Sequence, residues 1–221
     1  MAIIEPPRRD SVHPQQTKTY SSSLRFWHWA NAIVITGSLL TVAVNSTVLN
    51  GWPTLMFVQD KLKQSGVTVT EKQARELTIG LRDRVWDVHV YFGYCLAALL
   101  LFRLIAEFFE VADQKLMRKI KSAYAQYKSG QNMLIARHEL VVKTMYAMLY
   151  LVLIIMAVTG LCLAFEDDVP FLKSIHAIKE VHGFCMYLVL LFIGVHIIGV
   201  FLAERKDSKG IVSDMINGGK N

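Results

Sequence analysis

Two histidines, His182 and His196, stand 14 residues apart in the run Val181 to Ala203, which holds no Lys, Arg, Asp or Glu over 23 residues. At about 100° per residue, 14 steps return to within about 40° of the same helical face, about 21 Å further along the axis. One helix would therefore present two imidazoles on one side, at two depths. Polar side chains are costly in hydrocarbon and mark functional sites. His28 lies just inside the first apolar block and His89 at the start of the second. Two imidazoles facing each other across helices are what a six-coordinate haem iron needs. No Cys-x-x-Cys-His occurs, so such a haem would be b-type. Ala32, Gly93, Gly183 and Gly199 lie beside these histidines. Short side chains there would let a flat macrocycle rest on the helices, though close helix packing uses glycine too. Hydrogen bonding between helices is the plainer role for any one such histidine. A zinc site is the weaker alternative, because the pairs lie far apart and lack Cys or carboxylate partners in the membrane.

The elements that must position these residues follow from composition. The chain has 221 residues, 53% of them apolar, gathered into four blocks rather than amphipathic stripes. This predicts an all-α membrane protein, a bundle of four transmembrane helices at about 24–49, 85–109, 138–165 and 176–203. A flexible tail (1–21) precedes this domain (22–205) and a second tail (206–221) follows it. The net charge of +6 comes without a basic stripe interleaved with aromatics, so lipid and not nucleic acid is the expected surroundings. Lys and Arg number 16 on the side of the two termini and middle connection, against 8 on the other. The richer side is cytoplasmic by the positive-inside rule, which places both termini inside a bacterial inner membrane. Trp27, Trp29, Trp52 and Trp86 all fall at the expected interfaces. Depth then pairs His28 with His196 near the cytoplasm and His89 with His182 near the outer face.

Other residues invite weaker readings. Arg137-His138-Glu139 is a titratable cluster at the inner start of the third helix, suited to protonating a quinone or simply an interfacial charged group. Arg25 and Arg84 precede His28 and His89 by three and five residues. Either suits a haem propionate, as would an arginine that only sets topology. His13 falls in the tail, and His176 is a loop residue off the ligand face. The three cysteines, Cys95, Cys162 and Cys185, stand singly within apolar blocks. Between the first two helices, Gly51-Trp52-Pro53 breaks the chain and Thr70 N-caps a surface helix over 70–81. Residues 112–128 alternate basic and apolar types, as an interfacial helix or a solvated loop would.

Arg25-Phe26-Trp27-His28-Trp29-x-Asn31, Thr36-Gly37, His89-x-x-x-Gly93 and the His182/His196 pair together resemble the b-type cytochrome subunit of membrane-bound nickel-iron hydrogenases. That subunit belongs to a wider group of di-haem membrane anchors that includes the formate dehydrogenase cytochrome subunit. The resemblance covers about Ser22 to Arg205. It implies two haem b groups with the histidine pairs already drawn from depth. It also implies electron flow from a periplasmic dehydrogenase or hydrogenase, whose partner subunits carry iron–sulfur clusters, through the outer and then the inner haem to a quinone. In such relatives the quinone lies near the inner haem, which draws attention to His138. This chain has no ligands for iron–sulfur clusters of its own.

Two other readings stand beside this one. A stand-alone di-haem cytochrome would exchange electrons between superoxide and quinone at the same four histidines. A haem-free transporter or anchor would use none of them, and no pair of broken helices suggests transport.

Overall fold

The computed structural model describes residues 22–109, 133–206 and 210–218, with a few positions between 121 and 128. The tail 1–21 and most of the 112–128 segment lie outside the described residues. Helix is the regular structure throughout, and no strand occurs among the described residues. The order is α1 (Ser22–Ala43), a π-helical turn (Val44–Val48), α2 (Trp52–Gln64), α3 (Glu71–Phe109), α4 (Met133–Ala164), α5 (Pro170–Lys173), α6 (Ala177–Lys206) and α7 (Ile211–Asn217). Four stretches are long and apolar enough to cross a membrane: Leu24–Val48, Glu71–Ile105, Leu140–Ala164 and Ala177–Arg205. The protein is therefore all-α with four membrane-spanning helices.

The helices turn large apolar side chains outward, and α1 turns polar ones inward. On α1, Phe26, Ile33 and Leu40 recur every seven residues and are well exposed. Its other side carries Asn31 and Thr41, both buried, and Asn45 in the π-helical turn that follows is buried too. On α6 the exposed stripe is Phe184, Leu191 and Ile198, again spaced by seven. Val189 lies midway between His182 and His196 and is 2% exposed, so the face that carries both histidines is turned inward. Lipid tails solvate the apolar stripes, so the packing faces can carry polar groups.

The chain forms two compact units, one of Ala30–Ala98 and the other of the described residues before and after it. Within the first, α1 and α3 approach closely at Gly37, where a Cβ would run into the Phe92 ring. Asn45, in the π-helical turn, donates from Nδ2 to the carbonyl of Arg82 at 3.2 Å. In the second unit α4 packs on α6, and Leu153, Cys185 and Val189 are its most buried apolar side chains.

The connection between the first two spans differs from the sequence expectation. Gly51, at φ 87°, ends the first helical segment, and Pro53 in the first turn starts α2 where a plain break was expected. Thr70 does cap the next helix through a capping box. Its backbone N–H donates to Gln73 Oε1 at 2.9 Å, and the Gln73 N–H donates to Thr70 Oγ1 at 3.3 Å. That helix then continues unbroken through 82–84 into the second span, giving one helix of 39 residues in place of two. Gly80, next to the junction, does not stop it, no Pro stands there, and Arg82, Asp83 and Arg84 are compatible with helix. The third helix starts at Met133, earlier than its apolar residues suggest. The C-terminal tail, expected to be plain tail, contains α7.

Candidate functional site

His28 on α1 and His196 on α6 lie with ring centroids 6.3 Å apart and planes at 52°. A ligating imidazole nitrogen sits about 2.0 Å from its metal and about 1.1 Å from its own ring centre, so two imidazoles on one metal have centroids about 6.2 Å apart. Rotation about the ligand axis leaves the angle between the rings free, so 52° is compatible with this arrangement. His28 Nδ1 is buried and has no hydrogen-bond partner among the described residues. The contacts of His196 are with rings: His28, and Phe192 stacked at 5.9 Å and 6°. Trp29 meets His28 edge-on at 5.3 Å. The spacing and the apolar, aromatic setting fit a haem iron held by two neutral imidazoles.

His89 has a different setting. Its Nδ1 lies 2.9 Å from Thr41 Oγ1, and 3.3 Å from both Ser38 Oγ and the Ser38 carbonyl. A carbonyl only accepts, and the Thr41 hydroxyl already donates to the Ser38 carbonyl at 2.6 Å. The Ser38 carbonyl favours the neutral tautomer with its hydrogen on Nδ1, the one whose Nε2 could bind a metal. Trp86, one turn earlier, meets the ring edge-on at 5.3 Å.

His182 repeats this logic on other helices. Its Nδ1 lies 3.0 Å from Thr159 Oγ1 on α4. That hydroxyl donates to the Ile155 carbonyl at 2.7 Å, so it accepts from His182. The next residue, Gly160, lets the ring lie against α4: a Cβ there would come 3.0 Å from His182 Cε1. Thr159 and Gly160 thus set both the tautomer and the position of the ring.

The remaining candidates are placed as follows. Arg25 Nη1 donates to the Ile216 carbonyl at 2.6 Å and Nη2 to Ser22 Oγ at 3.3 Å, while its Nε is buried without a hydrogen-bond partner among the described residues. Trp29 Nε1 donates to the Met215 carbonyl at 3.2 Å. At the other end of α7 the Glu204 carboxylate accepts from the N–H groups of Gly210 at 2.7 Å and Val212 at 3.4 Å. Helix α7 is therefore held at both ends, beside the His28/His196 pair. Arg84 pairs with Asp87 at 3.6 Å on a well-exposed stretch. His138 falls within α4, with its side chain outside the described residues. His176 lies in the turn before α6. A Cβ at Gly93, Gly183 or Gly199 would meet nothing within 4 Å among the described residues, so tight packing against protein does not explain these glycines. Sequence reasoning missed Ser38, Thr41, Thr159 and Gly160. Hydroxyls inside apolar spans were the available signal, one of them directly before a glycine.

The family model for prokaryotic cytochrome b561 matches residues 19–218 and so takes in all four histidines. No curated protein and no solved structure matches the chain. A b-type haem is the cofactor this family implies, and transmembrane electron transfer is the corresponding function. With four helices able to span a bilayer and a paired-imidazole site of the right dimension, the chain belongs to the prokaryotic cytochrome b561 family, as a multi-pass membrane electron-transfer protein.

Proposed function

We propose that this chain is the membrane subunit that links a periplasmic dehydrogenase of the hydrogenase type to the quinone pool of a bacterial inner membrane by way of two b haems. Both termini would be cytoplasmic. The observation that carries the reading is the 6.3 Å approach of His28 to His196. Bound haem supplies a one-electron carrier. His28 and His196 would hold one such group; His89 and His182, paired by their depth in the sequence, would hold the other. Phe192 stacks on His196 and Trp29 meets His28 edge-on, which gives that site aromatic neighbours. The buried Nε of Arg25 is a donor for a propionate, and the exposed Arg84 could serve the other site. His138, in a titratable cluster, would deliver a proton to reduced quinone.

Haem counting tests the proposal. Pyridine haemochrome assay of the purified protein should give two b haems per chain, and His196→Ala should remove one of them. One haem or none in the wild type would overturn it. Co-purification tests the donor. Dihydrogen reducing both haems in membranes that contain a hydrogenase supports the reading. A protein always isolated alone and reduced by superoxide removes the donor from it.

A further inference from the structure

The four histidines fall into two chemical classes. Nδ1 of His89 and Nδ1 of His182 each lie within hydrogen-bond distance of a threonine hydroxyl that can spend its own hydrogen on a backbone carbonyl and so accept from the imidazole. Nδ1 of His28 has no such acceptor among the described residues, and His196 is met by rings. A hydrogen bond from Nδ1–H adds electron density to the imidazole, makes Nε2 a stronger donor and favours the ferric state of the iron it binds. A hydroxyl in these surroundings must satisfy its own proton within hydrocarbon. Thr41 and Thr159 do so on Ser38 and Ile155 of their own helices. This frees a lone pair for the histidine in each case.

We infer that Thr41, with Ser38, and Thr159 are positioning residues that make the His89/His182 site the lower-potential of the two haem sites. The inference rests on the four-ligand reading above. One-electron transfer from the His89/His182 site to the His28/His196 site is then downhill. The electrons enter from the dehydrogenase partner and leave on quinone, which takes up two electrons and two protons per molecule. No bond to either imidazole pair forms or breaks.

Redox titration of the intact, haem-loaded protein, followed by the b-type absorbance band, tests this without any turnover assay. The wild type should titrate in two one-electron steps. Thr159→Val keeps the shape of the side chain but removes the acceptor. It should raise the lower potential by about the equivalent of a tenfold change in the reduction equilibrium, about 59 mV for one electron, and leave the higher one in place. Thr159→Ser restores an acceptor and should titrate like the wild type, which a merely space-filling role for the methyl group would not give. Thr41→Val offers an independent arm on another helix. It should move the same lower potential by less, because the Ser38 carbonyl still lies 3.3 Å from Nδ1. A shift of the higher potential, or no shift in either valine variant, overturns the inference. Fewer than two haems in the wild type overturns the underlying reading instead, and that result is separate from the potentials.

Discussion

The guanidinium of Arg25 closes the last turn of a helix that ends almost 200 residues later, donating to the carbonyl of Ile216 at 2.6 Å. Gly218 makes this possible. It is buried at φ 93°, and a Cβ there would come 3.2 Å from the Arg25 guanidinium carbon. Arg25→Ala should loosen α7 by about 1 kcal/mol, seen as roughly fivefold faster amide exchange over residues 211–217. Unchanged exchange there would show that Trp29 and Glu204 hold α7 without it.

Gly160→Ala puts a methyl group against His182 Cε1, at 3.0 Å before relaxation. A displaced ligand costs metal affinity about tenfold or more. The variant should therefore lose haem from one site and keep the other, measured as haem per protein after detergent purification. Full loading of both sites would mean that α4 and α6 can separate at no cost.

Gly37→Ala meets the far edge of the Phe92 ring. That ring can move, so the expected penalty is that of ordinary overpacking, about 1–3 kcal/mol. Adding Phe92→Ala should recover part of the thermal stability lost. A double variant no better than Gly37→Ala would place the strain elsewhere.

Asp167 and Lys173 pair at 2.8 Å in the connection between α4 and α6, both largely exposed. Their hydrogen bond and mutual attraction hold the Asp167 carboxyl below its usual range and the Lys173 ammonium above its own. The carboxyl contribution is present above the unfolded pKa and fades as pH falls through the lowered one. The ammonium contribution is present below the unfolded pKa and fades only as pH rises through the raised one. The pair is thus intact from about pH 5 to about pH 9. Solvent screens it, so Asp167→Asn should leave the thermal midpoint at neutral pH unchanged within error. A clear drop would reveal a structural role for this connection.

Thr70→Ala removes one half of the capping box at the start of α3. The expected cost is about 1 kcal/mol, confined to the first turn and read as faster amide exchange at residues 71–74. Haem content should not change.

The sequence made the four spans and the ligand face of α6 legible for one reason. Both depend on period and charge, which survive without coordinates. His182 and His196 share a face because 14 is close to a whole number of turns, and the buried Val189 midway confirms which way that face points. The acceptors Thr41 and Thr159 were not legible. Each hydroxyl also suits an ordinary helix, and its role depends on a neighbouring helix at one particular height. The docking of α7 was hidden for a similar reason, since Arg25 and Ile216 are joined only through the folded chain. The length of α3 escaped because charged residues were read as a boundary, whereas a helix outside hydrocarbon accepts them freely.

That length has a mechanical side. At 1.5 Å per residue the 39 residues of α3 rise about 58 Å, nearly twice the hydrocarbon thickness of about 30 Å. The surplus extends the span as one continuous helix, on which Ala74 and Thr78 are buried. His89 is 18 residues, or about 27 Å, from its first residue, with no loop between them. A load applied to the first turns of α3, such as the weight and torque of a docked protein, would reach that imidazole through one unbroken ladder of backbone hydrogen bonds.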